Sequence, residues 1–118
     1  MIITYDTKIE KILTEDKLLK RAVNIELAKI LRRREKELGS FENFLDFINH
    51  GLGKPHALED SKKEHLQGCY GVSLTANARL IVQPQCTKRS AEALKKCKEV
   101  KIIGVLDYHG KNEQWIMP

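Results

Sequence analysis

Asp107, Tyr108 and His109 stand side by side after an apolar run, Val100 to Leu106. A carboxylate, a phenol and an imidazole can each hold or move a proton, and the imidazole changes charge near neutral pH. Another imidazole, His56, lies in GKPHALED. Asp107 and Tyr108 also have structural readings, as a turn-capping carboxylate and as a packed ring with a wet hydroxyl. His50 and His65 belong to no such pattern.

The elements that position these groups follow from periodicity. MIITYD alternates as a short strand. After Thr14, read as an N-cap, apolar residues at Leu19, Val23, Leu27, Ile30 or Leu31, and Leu38 trace one stripe of a long helix that Gly39 ends. Ser40 can cap a second helix with Phe41, Phe44, Leu45 and Ile48 at helical spacing. Gly51, Gly53 and Pro55 break the chain. CYGVSL and ARLIVQ, joined at Thr75–Asn77, read as a hairpin. A polar stretch from Gln85 to Glu99 holds about one helical turn near Ala91 to Lys98, and VKIIGVL is a strand apolar on both faces. The order strand, helix, helix, strand, strand, strand predicts an α+β fold: a small antiparallel sheet with both helices on one face and the other face partly open.

Composition narrows the class. The chain has 118 residues, read as a single domain 1–118, with 42% apolar and 31% charged residues. Its first twenty residues mix charges into every turn, so neither an export signal nor a membrane span is expected, and a cytoplasmic location is. Three cysteines, Cys69, Cys86 and Cys97, lack Cys-x-x-Cys spacing, which argues for reduced thiols and against a zinc knuckle. GLGK at 51–54 lacks the Ser or Thr and the preceding strand of a phosphate-binding loop. No metal or cofactor is expected. The formal charge of +5 favours polyanions or an acidic protein partner without choosing between them.

GKPHALED, LQGCYGVSLTANARLIVQP and VKIIGVLDYHG, in that order, resemble the signature of the RelE/ParE superfamily of bacterial toxins, most closely its HigB-like, or plasmid-maintenance killer, branch. The match is strongest from Gly51 to Gly110. The resemblance implies a RelE-like fold and a ribosome-dependent mRNA endonuclease, partnered with a HigA-like antitoxin. In the implied reaction a ribose 2′-hydroxyl attacks the adjacent phosphate, without metal, leaving a cyclic phosphate and a 5′-hydroxyl. Such chemistry needs a proton acceptor, a proton donor and cations for charge on the phosphoryl oxygens.

Carried onto this sequence, the catalytic residues are His56, Arg79, Tyr108 and His109, with Asp107 orienting or supporting. Arg79 would clamp the phosphate through two parallel hydrogen bonds, or alternatively bridge across strands to Asp107. Lys54, Lys62, Lys63, Arg32 and Arg33 are expected to meet RNA phosphates; a solvated helix face is the other meaning of the Arg32–Arg34 run. One departure is that Glu59 and Asp60 stand where the branch often has Lys-Gly. This substitution leaves open a binding module of the same fold without nuclease chemistry, either a ParE-like gyrase inhibitor or an inert antitoxin binder.

Overall fold

The alternating N-terminal segment forms strand β1, Ile2–Tyr5, with Ile3 and Tyr5 packed against the core. The computed structural model describes residues 1–58, 66–109 and 112–117, apart from the side chains of 109, 112 and 113. In place of one long helix after Thr14 there are two, α2, Asp16–Ala22, and α3, Ile25–Ser40, and they are preceded by a short α1, Glu10–Thr14, that the sequence reading does not assign. Thr14 closes α1, its hydroxyl donating to the Glu10 carbonyl at 2.8 Å. The break falls at Asn24, whose φ of 119° and ψ of 167° lie in a region that glycine adopts far more readily than other residues. Its side chain accepts from the Leu27 N–H at 2.9 Å and caps α3. The expected stripe survives the break, since Leu19, Val23, Leu27, Leu31 and Leu38 are all buried. Packing of the apolar face, more than helix continuity, stabilises such segments.

Gly39 does not end α3. A Cβ there would lie 3.3 Å from Ile3 Cδ1, so the glycine lets the helix close onto β1. Ser40 donates to the Glu37 carbonyl at 2.6 Å, and Asn43, not Ser40, caps α4, Phe44–His50.

The remaining elements are β2, His56–Ala57; β3, Tyr70–Ser73; β4, Ala78–Pro84; α5, Ala91–Lys96; β5, Glu99–His109; and β6, Asn112–Met117. They form a six-stranded sheet ordered β1-β5-β4-β3-β2, with β6 also on β5. The α+β class is as expected, but β1 runs parallel to β5 while the other pairs are antiparallel. A parallel pair requires a long connection, and nearly the whole chain lies between these two strands. The final strand also continues past Leu106 through Asp107, Tyr108 and His109, because β6, to which the sequence reading assigns nothing, pairs along it from Val105.

Midway along, β5 changes phase. Ile81 pairs with Gly104 but Val82 with Ile102, leaving Ile103 as the extra residue of a β-bulge. Before it, Val100 and Ile102 face the helices; beyond it Val105 does, while Leu106 and Tyr108 belong to the opposite face. A one-residue shift reverses the side of every following residue.

Helices α1 to α5 and the strand residues Leu80, Val82, Val100, Ile102 and Val105 make one large core. The opposite face carries a smaller cluster of Leu58, Leu66, Cys69, Ile81 and Leu106, with Ile103, Tyr108 and Trp115 against it. No described helix is long and apolar enough to cross a membrane.

Candidate functional site

Register places the candidate side chains. Ser73, Arg79, Leu106 and Trp115 are successive partners across β3, β4, β5 and β6, and His56, Gly71, Ile81 and Gly104 form the neighbouring row. Partners directly opposite share a face, so His56 and Arg79 lie on the side away from the main core. One strand, β3, lies between theirs and they sit one row apart, about 12 Å at ordinary strand spacing and rise. That is too far for contact with each other and close enough for both to meet one nucleotide. Two glycines clear this floor: a Cβ at Gly71 would lie 3.2 Å from His56 Cε1, and one at Gly104 only 2.7 Å from Trp115 Cζ3. Both rings therefore rest close against backbone.

Arg79 is fixed by the hairpin turn. Its Nη1 donates to the carbonyls of Thr75 at 2.8 Å, Ala76 at 3.2 Å and Ala78 at 3.1 Å. The guanidinium carbon lies 5.7 Å from the centroid of the Tyr108 ring, within cation–π range. Tyr108 is held in turn by its N–H, which donates to the Asn77 carbonyl at 2.7 Å. Among the described residues, no carboxylate pairs with Arg79, and nothing accepts from its Nε or Nη2. The alternative bridge to Asp107 does not form. Register explains this, since Asp107 pairs with Ala78 and Leu106 with Arg79, so the carboxylate and the guanidinium belong to alternate faces.

His56 is exposed on β2. Its Nδ1 lies 3.4 Å from the Lys54 carbonyl, a bond that only an Nδ1-protonated ring can donate, and in the neutral ring this leaves Nε2 as acceptor. The backbone of His109 pairs with Asn112 at the end of β5; its side chain lies outside the described residues, as do Glu59, Asp60, Lys62 and Lys63.

Beside the hairpin turn, an open cleft of about 520 Å³ is lined by Arg34, His50, Lys54, Ser73, Thr75 and Arg79, among others. The GLGK loop forms one wall through backbone shape. Gly51, Gly53 and Lys54 all have positive φ, of 80°, 71° and 48°. A Cβ on Gly53 would lie 2.4 Å from Val72 Cγ1, so only glycine lets the loop press onto β3, where the Ser73 N–H donates to the Gly53 carbonyl at 2.7 Å. Lys54 is thus a non-glycine residue held in a costly conformation at the mouth of a cleft, a form of strain that clusters at functional sites. The Lys54 position was legible from the motif. Arg34, His50 and Thr75 were not, because nothing in their spacing shows that α3 and α4 end beside the hairpin.

The arginine run of α3 is divided. Arg32 pairs with Asp16 and Glu35, each at 3.2 Å, and Arg33 is exposed. Arg34 pairs with Glu37 at 2.9 Å and donates Nε to the Ser73 carbonyl at 3.0 Å, which makes it the member that reaches the cleft. Glu35 also accepts from the Tyr5 hydroxyl at 3.0 Å; burial first, then the Glu35 charge, pushes that phenol up to about 12. All three cysteines are free, and burial raises the thiols of Cys69 and Cys86, which keeps them protonated and weakly nucleophilic. No three His, Cys, Asp or Glu side chains among the described residues gather as a metal site would.

No protein-family model matches the chain, and no curated protein matches its sequence. Among solved structures, the fold is similar to a chain of the YoeB-YefM complex from Staphylococcus aureus, with a TM-score of 0.52 and 18% identity over 92% of this chain and 97% of that one. At that identity the likeness speaks for the fold, and it agrees with the RelE-like arrangement that the sequence motifs imply.

Proposed function

We propose that the protein is the toxin of a type II toxin–antitoxin pair, of the HigB-like kind, and that it cleaves mRNA on the ribosome. The observation that carries this reading is Arg79: a cation pinned through one nitrogen to the turn carbonyls, resting by the Tyr108 ring, with no described residue accepting from its other N–H groups. A preorganised guanidinium of this kind stabilises charge building on phosphoryl oxygens with little reorganisation. His56 Nε2 accepts the 2′-hydroxyl proton as the new oxygen–phosphorus bond forms. Tyr108 or His109 returns a proton to the departing 5′ oxygen, and Asp107 supports that end of β5. Lys54 meets the substrate backbone; Lys62 and Lys63 are assigned the same role from sequence, and of the helix arginines Arg33 is better placed for it than the ion-paired Arg32. The two-component neighbour supports a protein partner, here an antitoxin of the HigA kind, and the site of action is the cytoplasm.

Expression of the wild type should arrest translation and leave reporter mRNA cut at ribosome-protected positions. Arg79→Ala and His56→Ala proteins that fold normally should lose the cuts by at least about a hundredfold, the range of one proton-transfer or oxyanion contact. Normal growth and intact mRNA with folded, abundant wild type would overturn the reading. The Glu59–Asp60 pair favours a second reading, a binding module without cleavage; gyrase poisoning with uncut mRNA selects that one.

A further inference from the structure

We infer that the cleft between the GLGK loop and the hairpin turn holds a second phosphate of the RNA strand, next to the one attacked, and that Arg34 and Lys54 are its walls. This inference rests on the nuclease reading for the identity of the strand, but its observations are separate. Arg79 belongs to two places at once: its guanidinium lies by the Tyr108 ring, and the same side chain lines the cleft with Lys54, Arg34 and His50. The cleft therefore adjoins the proposed reaction centre at Arg79, and from there it is lined by the hairpin turn, the GLGK loop, Arg34 of α3 and His50 at the end of α4. Its volume of about 520 Å³ falls within the range of small-ligand sites, about 300–1,000 Å³.

Charge selects the ligand. Lys54 and Arg79 are in no ion pair with a described carboxylate, whereas Arg34 is balanced by Glu37. The cleft thus offers two cations that no described carboxylate compensates, enough for one phosphodiester and its neighbour. Arg34 contributes shape and a donor more than net charge: Nε is fixed on the Ser73 carbonyl and Nη1 on Glu37, and nothing described accepts from Nη2. Such a fixed donor costs little to order on binding. The positive φ of Lys54 and the glycine-only approach at Gly53 set the facing wall without help from the ligand. His50, held edge-on to Phe41 with ring centroids 5.3 Å apart, closes the far end with a ring suited to stack on a sugar or base. A strand following this path would wrap the hairpin turn, with Arg79 between two consecutive phosphates.

The test is equilibrium binding of a short fluorescent single-stranded RNA to the full-length protein without ribosomes, read by anisotropy over a salt series. Lys54→Gln and Ala76→Glu should each weaken binding about tenfold, and Lys54→Gln should flatten the salt dependence by about one unit. Ala76 is exposed on the turn, so the second variant places a carboxylate at the cleft without removing a side-chain contact and serves even where Arg34→Gln fails to fold. Arg34→Gln that folds should lose affinity with a nearly unchanged salt slope. Lys95→Gln, on exposed α5, should bind within about twofold of wild type. Loss of saturable binding by the wild type, or equal affinity for Ala76→Glu and wild type, overturns the cleft. Tight, Lys54-dependent RNA binding with intact ribosomal mRNA would instead leave the cleft standing and remove the nuclease reading.

Discussion

The two faces of the sheet are built to different ends. Among the described residues, twenty-two buried side chains form the cluster under the helices, and five form the one on the opposite face. At about 1.5–3 kcal/mol for each fully buried large apolar side chain, most of the folding free energy lies on the helical side. The opposite face is held by backbone pairing, glycine-permitted ring contacts and hydrogen bonds to turn carbonyls. A surface with little apolar burial can expose cations and imidazoles without destabilising the domain, so binding and stability are separable here.

That separation can be broken most directly in the main core. Leu31→Ala, at a position with no exposure, should cost about 2–5 kcal/mol in urea unfolding. A loss under about 1 kcal/mol would mean the helical layer is not the stabilising one. Gly104→Ala acts on the other face: its Cβ would meet the Met117 carbonyl at 2.3 Å and the Trp115 ring, so β6 must shift, at about 1–3 kcal/mol. Changed Trp115 fluorescence should accompany the loss, as the chain has one tryptophan. Removing the α3 cap with Asn24→Ala should cost about 0.5–2 kcal/mol, and Asn24→Gly less, because glycine accepts the positive φ. Arg79→Gln should move the unfolding free energy by no more than about 1 kcal/mol while abolishing the proposed RNA cleavage, the sharpest contrast between the faces.

The smallest effect is a pH dependence on the helical side. Tyr5 has its phenol raised to about 12, from an ordinary value of 10.0. A group raised on folding contributes stability that is fully present below its unfolded value and disappears as pH climbs through the folded one. The domain should therefore weaken from about pH 10 to 12, and Tyr5→Phe should lose that dependence. Ultraviolet titration should show a late-ionising phenol component that Tyr5→Phe removes. A late transition that survives in Tyr5→Phe would assign it elsewhere.

Much of this architecture was readable from residue order. The Leu19–Leu38 stripe, the β3–β4 hairpin and the short helix before β5 all answer to periodicity and turn chemistry. The break at Asn24 was hidden because the stripe runs through it in phase, and α1 because it lies before the stripe begins. β6 was hidden because its pairing with β5 is set by tertiary contact, and the parallel β1 because strand partners far apart in the chain leave no local mark. At the site, Lys54, His56, Arg79 and Tyr108 carried motif signals. Arg34 carried only the signal of a charge run, and its neighbour Arg32 turned out to be committed to two carboxylates.

The surplus residue at Ile103 ties this chemistry to chain length as much as to residue type. Flattening that bulge into strict alternation, with every residue kept, would turn the Tyr108 ring toward the helices and leave Arg79 without its aromatic neighbour, although every candidate side chain was still encoded. An insertion after Ile103 would reverse the same side chains, whereas loss of Ile103 itself would remove the bulge and keep Tyr108 where it is.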